Sequence, residues 1–371
     1  MKTNWKLIKL LLAGAMPAAL LTGCGSSGTA VENVGDAEEL FGCSVINVYN
    51  AGEYIADNVV PDFEKMYNAT VNYDVFESNE IMYTKLMGGS SYDVIVPSDY
   101  MIERMISEKM LQPIDQDAMT NLDQINPDVL EKREAYDPGG VYSVPYFWGS
   151  VGLVYNKTVV DPDLIKQEGW DILLDEQFKG RIYAYDSQRD MFMIAFKALG
   201  YSMNTDDPDE IQAAYEWLQN MNETTSPAYV TDEVIDGMAN GDMDIAVMYS
   251  GDAAYVLSEN PDMDYIEPDQ GTNIWYDAMV IPANAECPGL ANAFINYITD
   301  YNTALANSTQ VGYTSPNLQV MNELSSEDGD YYENSAYIPR EGYDKDEVFH
   351  YNAELTRQLA DLWTRVKMSV N

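Results

Sequence analysis

Between Ser44 and Lys109 three short β-branched and aromatic runs alternate with amphipathic stretches, and this alternation narrows the available folds to the α/β class with a largely parallel sheet. Residues 44–49 (SVINVY) read as a strand that stops at the turn Asn50-Ala51-Gly52-Glu53-Tyr54. A helix should follow, with Ile55, Val59, Val60, Phe63, Met66 and Tyr67 at helical spacing. Val71, Tyr73 and Val75 alternate in a second strand, Ser78 or Asn79 can cap the helix carrying Met82 and Leu86, and residues 92–96 form a third strand. That strand runs through Pro97-Ser98-Asp99-Tyr100 into a helix over 101–109. Ligands of such sheets gather beyond the carboxyl ends of the strands, so the loops at 50–54, 77–80 and 98–100 should share one rim.

Two long extended segments set the rest of the architecture. Residues 143–155 are apolar, with Gly149 and Gly152 where the backbone must bend, and read as a strand crossing from a first lobe into a second. The second lobe alternates again: a strand at 182–185, helices over 191–199 and 208–221, and a strand at 244–249 that ends at Ser250-Gly251-Asp252. Residues 273–282 read as the return crossing, and a last helix is expected over 348–368 from the spacing of Tyr351, Leu355, Leu359, Leu362, Trp363 and Val366. Two α/β lobes joined by crossover strands leave an interdomain cleft suited to closing on a small molecule. In the return strand Trp275 and Asp277 are two residues apart and so share a face. A ring beside a carboxylate suits a guest with an apolar body and a cationic end. Core packing for Trp275 and end-pairing for Asp277 is the competing reading, and taken alone it is the commoner one.

Charge removes several function classes. The 371 residues carry a formal charge of -41, a surface that would repel the phosphates of a nucleic acid. His350 is the one histidine of the chain, which disfavours His-rich metal sites and catalysis by a His base. No cofactor is expected. At the N-terminus Lys2, Lys6 and Lys9 precede a short apolar run and Leu21-Thr22-Gly23-Cys24, which resembles a bacterial lipoprotein signal. The resemblance implies a signal peptide over 1–23, lipid on Cys24 and a membrane anchor, with 24–42 as a polar tether. Cys43 and Cys287 could pair in an oxidising exterior, but thiols so far apart are more often separate buried residues.

Seven segments, in order, carry a wider resemblance: Val48-Tyr49-Asn50-Ala51-Gly52-Glu53-Tyr54, residues 77–86, residues 92–98, Pro145-Tyr146-Phe147-Trp148-Gly149, Trp275-Tyr276-Asp277, residues 281–285 and Gly312-Tyr313-Thr314-Ser315-Pro316-Asn317. With them the chain resembles, from about Val45 to Lys367, the spermidine/putrescine-binding proteins of bacterial ABC importers. The resemblance implies a type II periplasmic-binding-protein fold, lobes of 43–148 with 277–321 and of 149–276 with 322–371, and a monomer that passes its ligand to ABC permease subunits. It further implies a polyamine lying in the cleft, with Asp277 and Asp190 at its ammonium groups, Trp275 and Tyr249 along its carbons, and Ser98, Tyr100, Tyr313 and Glu53 anchoring one end. The chain departs from the family at Ala51, where a tryptophan wall is usual, and at Ser187, where an acid is expected and Asp186 stands one residue earlier. A late cleft glutamine has no counterpart, Phe349 and His350 being nearest.

Plainer roles compete at each position: Asp190 could pair with Arg189, Tyr313 could pack at a hinge, and Ser98 could only cap its helix. Other functions compete too. Abundant acids make a carboxylate-dependent hydrolase conceivable, though no nucleophile motif or phosphate loop is present. Tyr331-Tyr332 resembles the paired phenolates of ferric-ion binders, but in an acidic loop away from the expected cleft. A surface lipoprotein without a ligand would have no use for a hinge.

Overall fold

A computed structural model describes residues 31–368. The signal peptide, Cys24 and the first part of the tether lie outside the described residues.

Ten strands form one curled sheet: β1 (Val45–Ala51), β2 (Thr70–Phe76), β3 (Val94–Ile95), β4 (Leu111–Gln112), β5 (Ser143–Asn156), β6 (Ile182–Tyr185), β7 (Ala228–Val230), β8 (Ile245–Tyr249), β9 (Met263–Ile266) and β10 (Ile274–Pro282). Their order is β2-β1-β3-β10-β5-β8-β6-β7, with β4 on β10 and β9 on β5. β1 pairs in parallel with β2 and β3, and β6 in parallel with β7 and β8, so each end of the path is a small parallel sheet. β5 and β10 join them and pair with each other, antiparallel, Trp275 opposite Gly149 and Asp277 opposite Phe147. The register slips between Asp277 and Ala278, which leaves Tyr146 as the extra residue of β5. Both crossings are buried nearly throughout, which explains their unbroken apolar sequence.

Local signals start the helices that frame the cleft. The Ser78 hydroxyl accepts the Ile81 N–H at 3.2 Å ahead of the helix Asn79–Met87. Ser187 caps the helix Gln188–Ala198 in the same manner. The helix Asp99–Ser107 begins directly after Ser98, whose carbonyl accepts the N–H groups of Met101 and Ile102.

Three expectations change. The last helix runs over Ala353–Met368, later than the spacing suggests. The chain before it is drawn straight by the return crossing, since the Ile274 N–H donates to the Glu347 carbonyl at 2.9 Å and the Glu347 N–H to that of Thr272 at 3.0 Å. Asn352 then caps the helix through the N–H of Leu355 at 3.1 Å. The tether does not extend to residue 42: Val34 donates to the Met66 carbonyl at 2.9 Å, and the helix Ala37–Phe41 packs its Ala37 into the core. Cys43 and Cys287 are joined in a disulfide, Cα atoms 6.1 Å apart across 244 positions of sequence, rather than buried separately. The fold brings the helix Ala37–Phe41 beside the helix Pro288–Ile298, a proximity no local pattern reports.

Candidate functional site

The three rim loops meet the return crossing in the seam between the lobes. Tyr54 leaves its loop to donate a hydroxyl hydrogen bond to Asp277 Oδ2 at 2.8 Å. Tyr146, the bulge residue, donates to the Tyr54 carbonyl and so fixes that loop. Ser98 pairs with Asp277 along the backbone, and its hydroxyl also supports the carboxylate. Asn79 holds Ser98 from the other side: its amide nitrogen donates to Ser98 Oγ at 3.0 Å, and its oxygen accepts the Ser98 N–H at 3.1 Å. Ser98 therefore does more than begin a helix.

The second lobe repeats the arrangement. Asp190 Oδ2 accepts the hydroxyls of Ser187 at 2.5 Å and Tyr249 at 2.8 Å. Asp190 is buried, 1% exposed, and forms no hydrogen bond with neighbouring Arg189. Asp186 points elsewhere, to Lys367 at 2.8 Å, and takes no part. In each clamp one carboxylate oxygen is held by a tyrosine and the other, Asp277 Oδ1 or Asp190 Oδ1, is buried without a partner. Buried acceptors of that kind are costly unless something donates to them.

Rings fill the distance between the clamps. Trp275 meets Tyr313 edge-on at 5.3 Å between centroids and Tyr249 at 6.2 Å. Tyr54 meets Tyr313 at 5.3 Å and Phe147 at 5.2 Å. Glycines allow this closeness. A Cβ on Gly149 would stand 2.4 Å from Trp275 Cζ2, and one on Gly251 would meet the Tyr313 ring at 2.2 Å. Gly312 takes a left-handed φ of 91° at the end of the helix Tyr301–Val311, which turns Tyr313 inward. Tyr100 completes the wall, its hydroxyl on Glu80 at 2.9 Å and its ring 4.2 Å from the Arg189 guanidinium.

Burial governs the electrostatics. It pushes the Asp277 carboxyl up to about 6, against the hydrogen bonds of Ser98 and Tyr54 and the Arg189 charge. Burial also raises Asp252, beside Tyr313, to about 7, and Asp99, which accepts the Tyr100 and Tyr276 N–H groups, to about 7. An amine cation placed beside Asp277 would favour its charged form.

Of the residues singled out from sequence, Trp275, Asp277, Tyr249, Tyr313, Ser98, Tyr100 and Asp190 come together. Glu53 does not join them: it is exposed, with a left-handed φ of 50°, and the next residue, Tyr54, turns inward instead. Tyr54, Phe147, Glu80 and Arg189 are not among the expected ligand contacts, although the first three stand inside quoted segments and Arg189 is named there as a partner for Asp190. Tyr331 is buried and donates to the Thr309 carbonyl at 3.0 Å, away from the clamps. Two surface hollows of about 580 and 740 Å³ also lie away from Trp275 and Asp277, and neither contains a clamp residue. The clamps are the better guide, because a seam closed on its own rings leaves little open volume. Among the described residues no helix is long and apolar enough to cross a membrane.

Two α/β lobes on paired crossings, with half-satisfied acids and edge-packed rings in the seam, define a solute-binding protein. The chain belongs to the bacterial extracellular solute-binding protein family, whose model matches residues 58–335. It is 34% identical over 281 residues, 75% of this chain and 79% of the other, to the spermidine/putrescine-binding periplasmic protein of Escherichia coli strain K12. It is 32% identical to the protein of that name from Salmonella typhimurium, over 83% of this chain and 86% of the other. The spermidine/putrescine ABC transporter substrate-binding protein PotD of Streptococcus pneumoniae superposes with a TM-score of 0.75 at 34% identity, over 88% of this chain and 100% of that one. A Listeria monocytogenes structure described as a spermidine/putrescine ABC transporter gives 0.78 at 31% identity, over 88% and 99%.

Proposed function

We propose that this protein captures a polyamine, putrescine or spermidine, between its lobes and delivers it to an ABC importer. The observation that carries the reading is the pair of clamps: Asp277 and Asp190, on opposite sides of the seam, each have one oxygen committed and one free, with Trp275, Tyr313 and Tyr249 between them. A polyamine offers ammonium groups for the free oxygens and methylenes for the rings. Each charge-assisted hydrogen bond contributes roughly 1.5–3 kcal/mol, and each cation over a ring roughly 0.5–2 kcal/mol. Micromolar binding corresponds to about -8 kcal/mol, within reach of two ammonium groups and two or three rings.

The lobes in this reading are 43–148 with 277–321 and 149–276 with 322–371. The protein acts as a monomer outside the cytoplasm, held to the membrane by lipid on Cys24, and delivers solute without transforming it. Thermal unfolding with putrescine, cadaverine, spermidine and spermine tests the core of the reading. A ligand at 100 times its Kd should stabilise the fold by about 2.7 kcal/mol. No rise with any of the four amines would overturn it.

A further inference from the structure

The return crossing has a second face. Trp275 and Asp277 look into the seam, and the residues that alternate with them, Ile274 and Tyr276, look the other way. Tyr276 pairs with Trp148 of β5, and their rings lie 6.0 Å apart and within 6° of parallel. Trp148, Ile274 and Tyr276 line the hollow of about 740 Å³, which therefore lies behind the ribbon whose front carries Asp277. Val129 and Val348 extend its apolar floor. One wall is the helix Pro127–Arg133, tied to the first lobe where the Asn126 N–H donates to the Pro316 carbonyl at 2.8 Å. The other is the chain before the last helix, tied to the second lobe where Lys197 donates to the Lys345 carbonyl at 2.7 Å and Arg340 to that of Glu267 at 2.9 Å. A molecule in the hollow would touch both lobes at once.

Two features say what would fit. Trp148 is 1% exposed, and its indole N–H, which can only donate, has no acceptor. The mouth is acidic. Arg340 is committed to Asp346 at 2.7 Å, Glu347 to Lys197 at 2.9 Å and His350 to Glu103 at 3.6 Å, which leaves Asp128, Glu131 and Glu341 against Lys132. Burial and the Asp128 charge hold the Glu341 carboxyl above its usual range despite Lys132, and both acids act on the Tyr276 phenol at the floor. Unpaired acids call for a cation, and a buried donor calls for an oxygen, which a protonated polyamine does not possess. We propose that this hollow is a second binding site, for a monoamine whose body is a hydroxylated aromatic ring. The ring lies on the apolar floor, its oxygen accepts from the Trp148 indole, and its ammonium meets Asp128 and Glu341. The volume is within the range of small-molecule sites, and a ring covers a broad floor that a methylene chain would leave largely bare. The proposal does not depend on what the cleft holds.

Titration calorimetry with tyramine tests this, alongside phenethylamine, which lacks the oxygen, and 3-(4-hydroxyphenyl)propionate, which carries the opposite charge. Tyramine should bind with a Kd below about 1 mM. Phenethylamine should bind more weakly by about threefold or more, and the propionate not measurably. Asp128→Asn combined with Glu341→Gln, both exposed positions, should weaken tyramine by about tenfold. Asp277→Ala, and saturation of the wild type with putrescine, should leave the tyramine site intact. The absence of a tyramine site that survives both would overturn the proposal, since any binding would then belong to the cleft. So would phenethylamine or the propionate bound as tightly as tyramine, an affinity indifferent to the double variant, or a second equivalent of putrescine bound in preference to tyramine. Failure of every polyamine to bind would bring down the polyamine reading alone, because tyramine on the wild type and the double variant still decides this one.

Discussion

The two clamps are built alike and situated differently. Each sets a carboxylate between a serine and a tyrosine, Ser98 and Tyr54 on Asp277, Ser187 and Tyr249 on Asp190. Asp190 is the immediate neighbour of Arg189 and sits on the first turn of a helix, where the helix dipole favours an anion. Asp277 sits in a strand, beside the register slip, with two hydroxyls and the Arg189 charge acting on it. One carboxylate has a helix N-terminus and an adjacent cationic residue at its side, and the other has neither in its own strand. Equal geometry therefore does not mean equal pull on an ammonium.

Truncation is the strongest way to break that contrast. Asp277→Ala should cost about 2–5 kcal/mol of diamine affinity, the range for removing one partner of a buried charged pair. Asp190→Ala should cost visibly less, and calorimetric titrations of the two with putrescine showing equal losses would refute the asymmetry. Next in size is the disulfide, which staples only the first lobe. Cys43→Ala with Cys287→Ala should lower stability by about 2–4 kcal/mol in chemical denaturation while leaving putrescine affinity intact. Altered affinity would mean that the staple also shapes the Asp277 clamp.

The smallest effects are the most discriminating. Tyr54→Phe and Tyr249→Phe should each cost about 0.5–1.5 kcal/mol of affinity. Tyr54→Phe should also shift the pH profile. With its carboxyl raised to about 6, Asp277 binds a proton in the free folded protein that the unfolded chain takes up only in the ordinary carboxylate range. Its contribution to stability is then greatest below that range and falls as pH rises through about 6. Amine binding runs the other way and strengthens over the same window, since it requires the carboxylate. Without the Tyr54 hydroxyl the midpoint of binding should move to higher pH, and an unmoved midpoint would place the titration elsewhere.

Periodicity made the strands, their helices and the shared rim legible, along with the pairing of Trp275 and Asp277 on one face. Legibility failed where contacts are distant or the backbone leaves its period. Glu53 and Tyr54 are adjacent in a turn, and the left-handed backbone at Glu53 decides which of them faces in. The spacing of Tyr351, Leu355 and Leu359 is helical, yet pairing of Glu347 with Thr272 and Ile274 postpones the helix. Cys43 finds Cys287, and Arg189 finds Tyr100 and Phe349, only after the chain has folded.

The register slip has a mechanical corollary. Because β5 and β10 are laddered to each other, the lobes are joined by a single ribbon and not by two separate tethers. Its irregular joint falls at the peptide that carries Asp277, so flexing the joint would tilt the carboxylate that the proposed function sets against an ammonium. If Asp277 holds the ligand as proposed, prising the jaws apart and loosening the grip would be a single stroke, and a pump that pulls on either lobe would need no separate unlocking step.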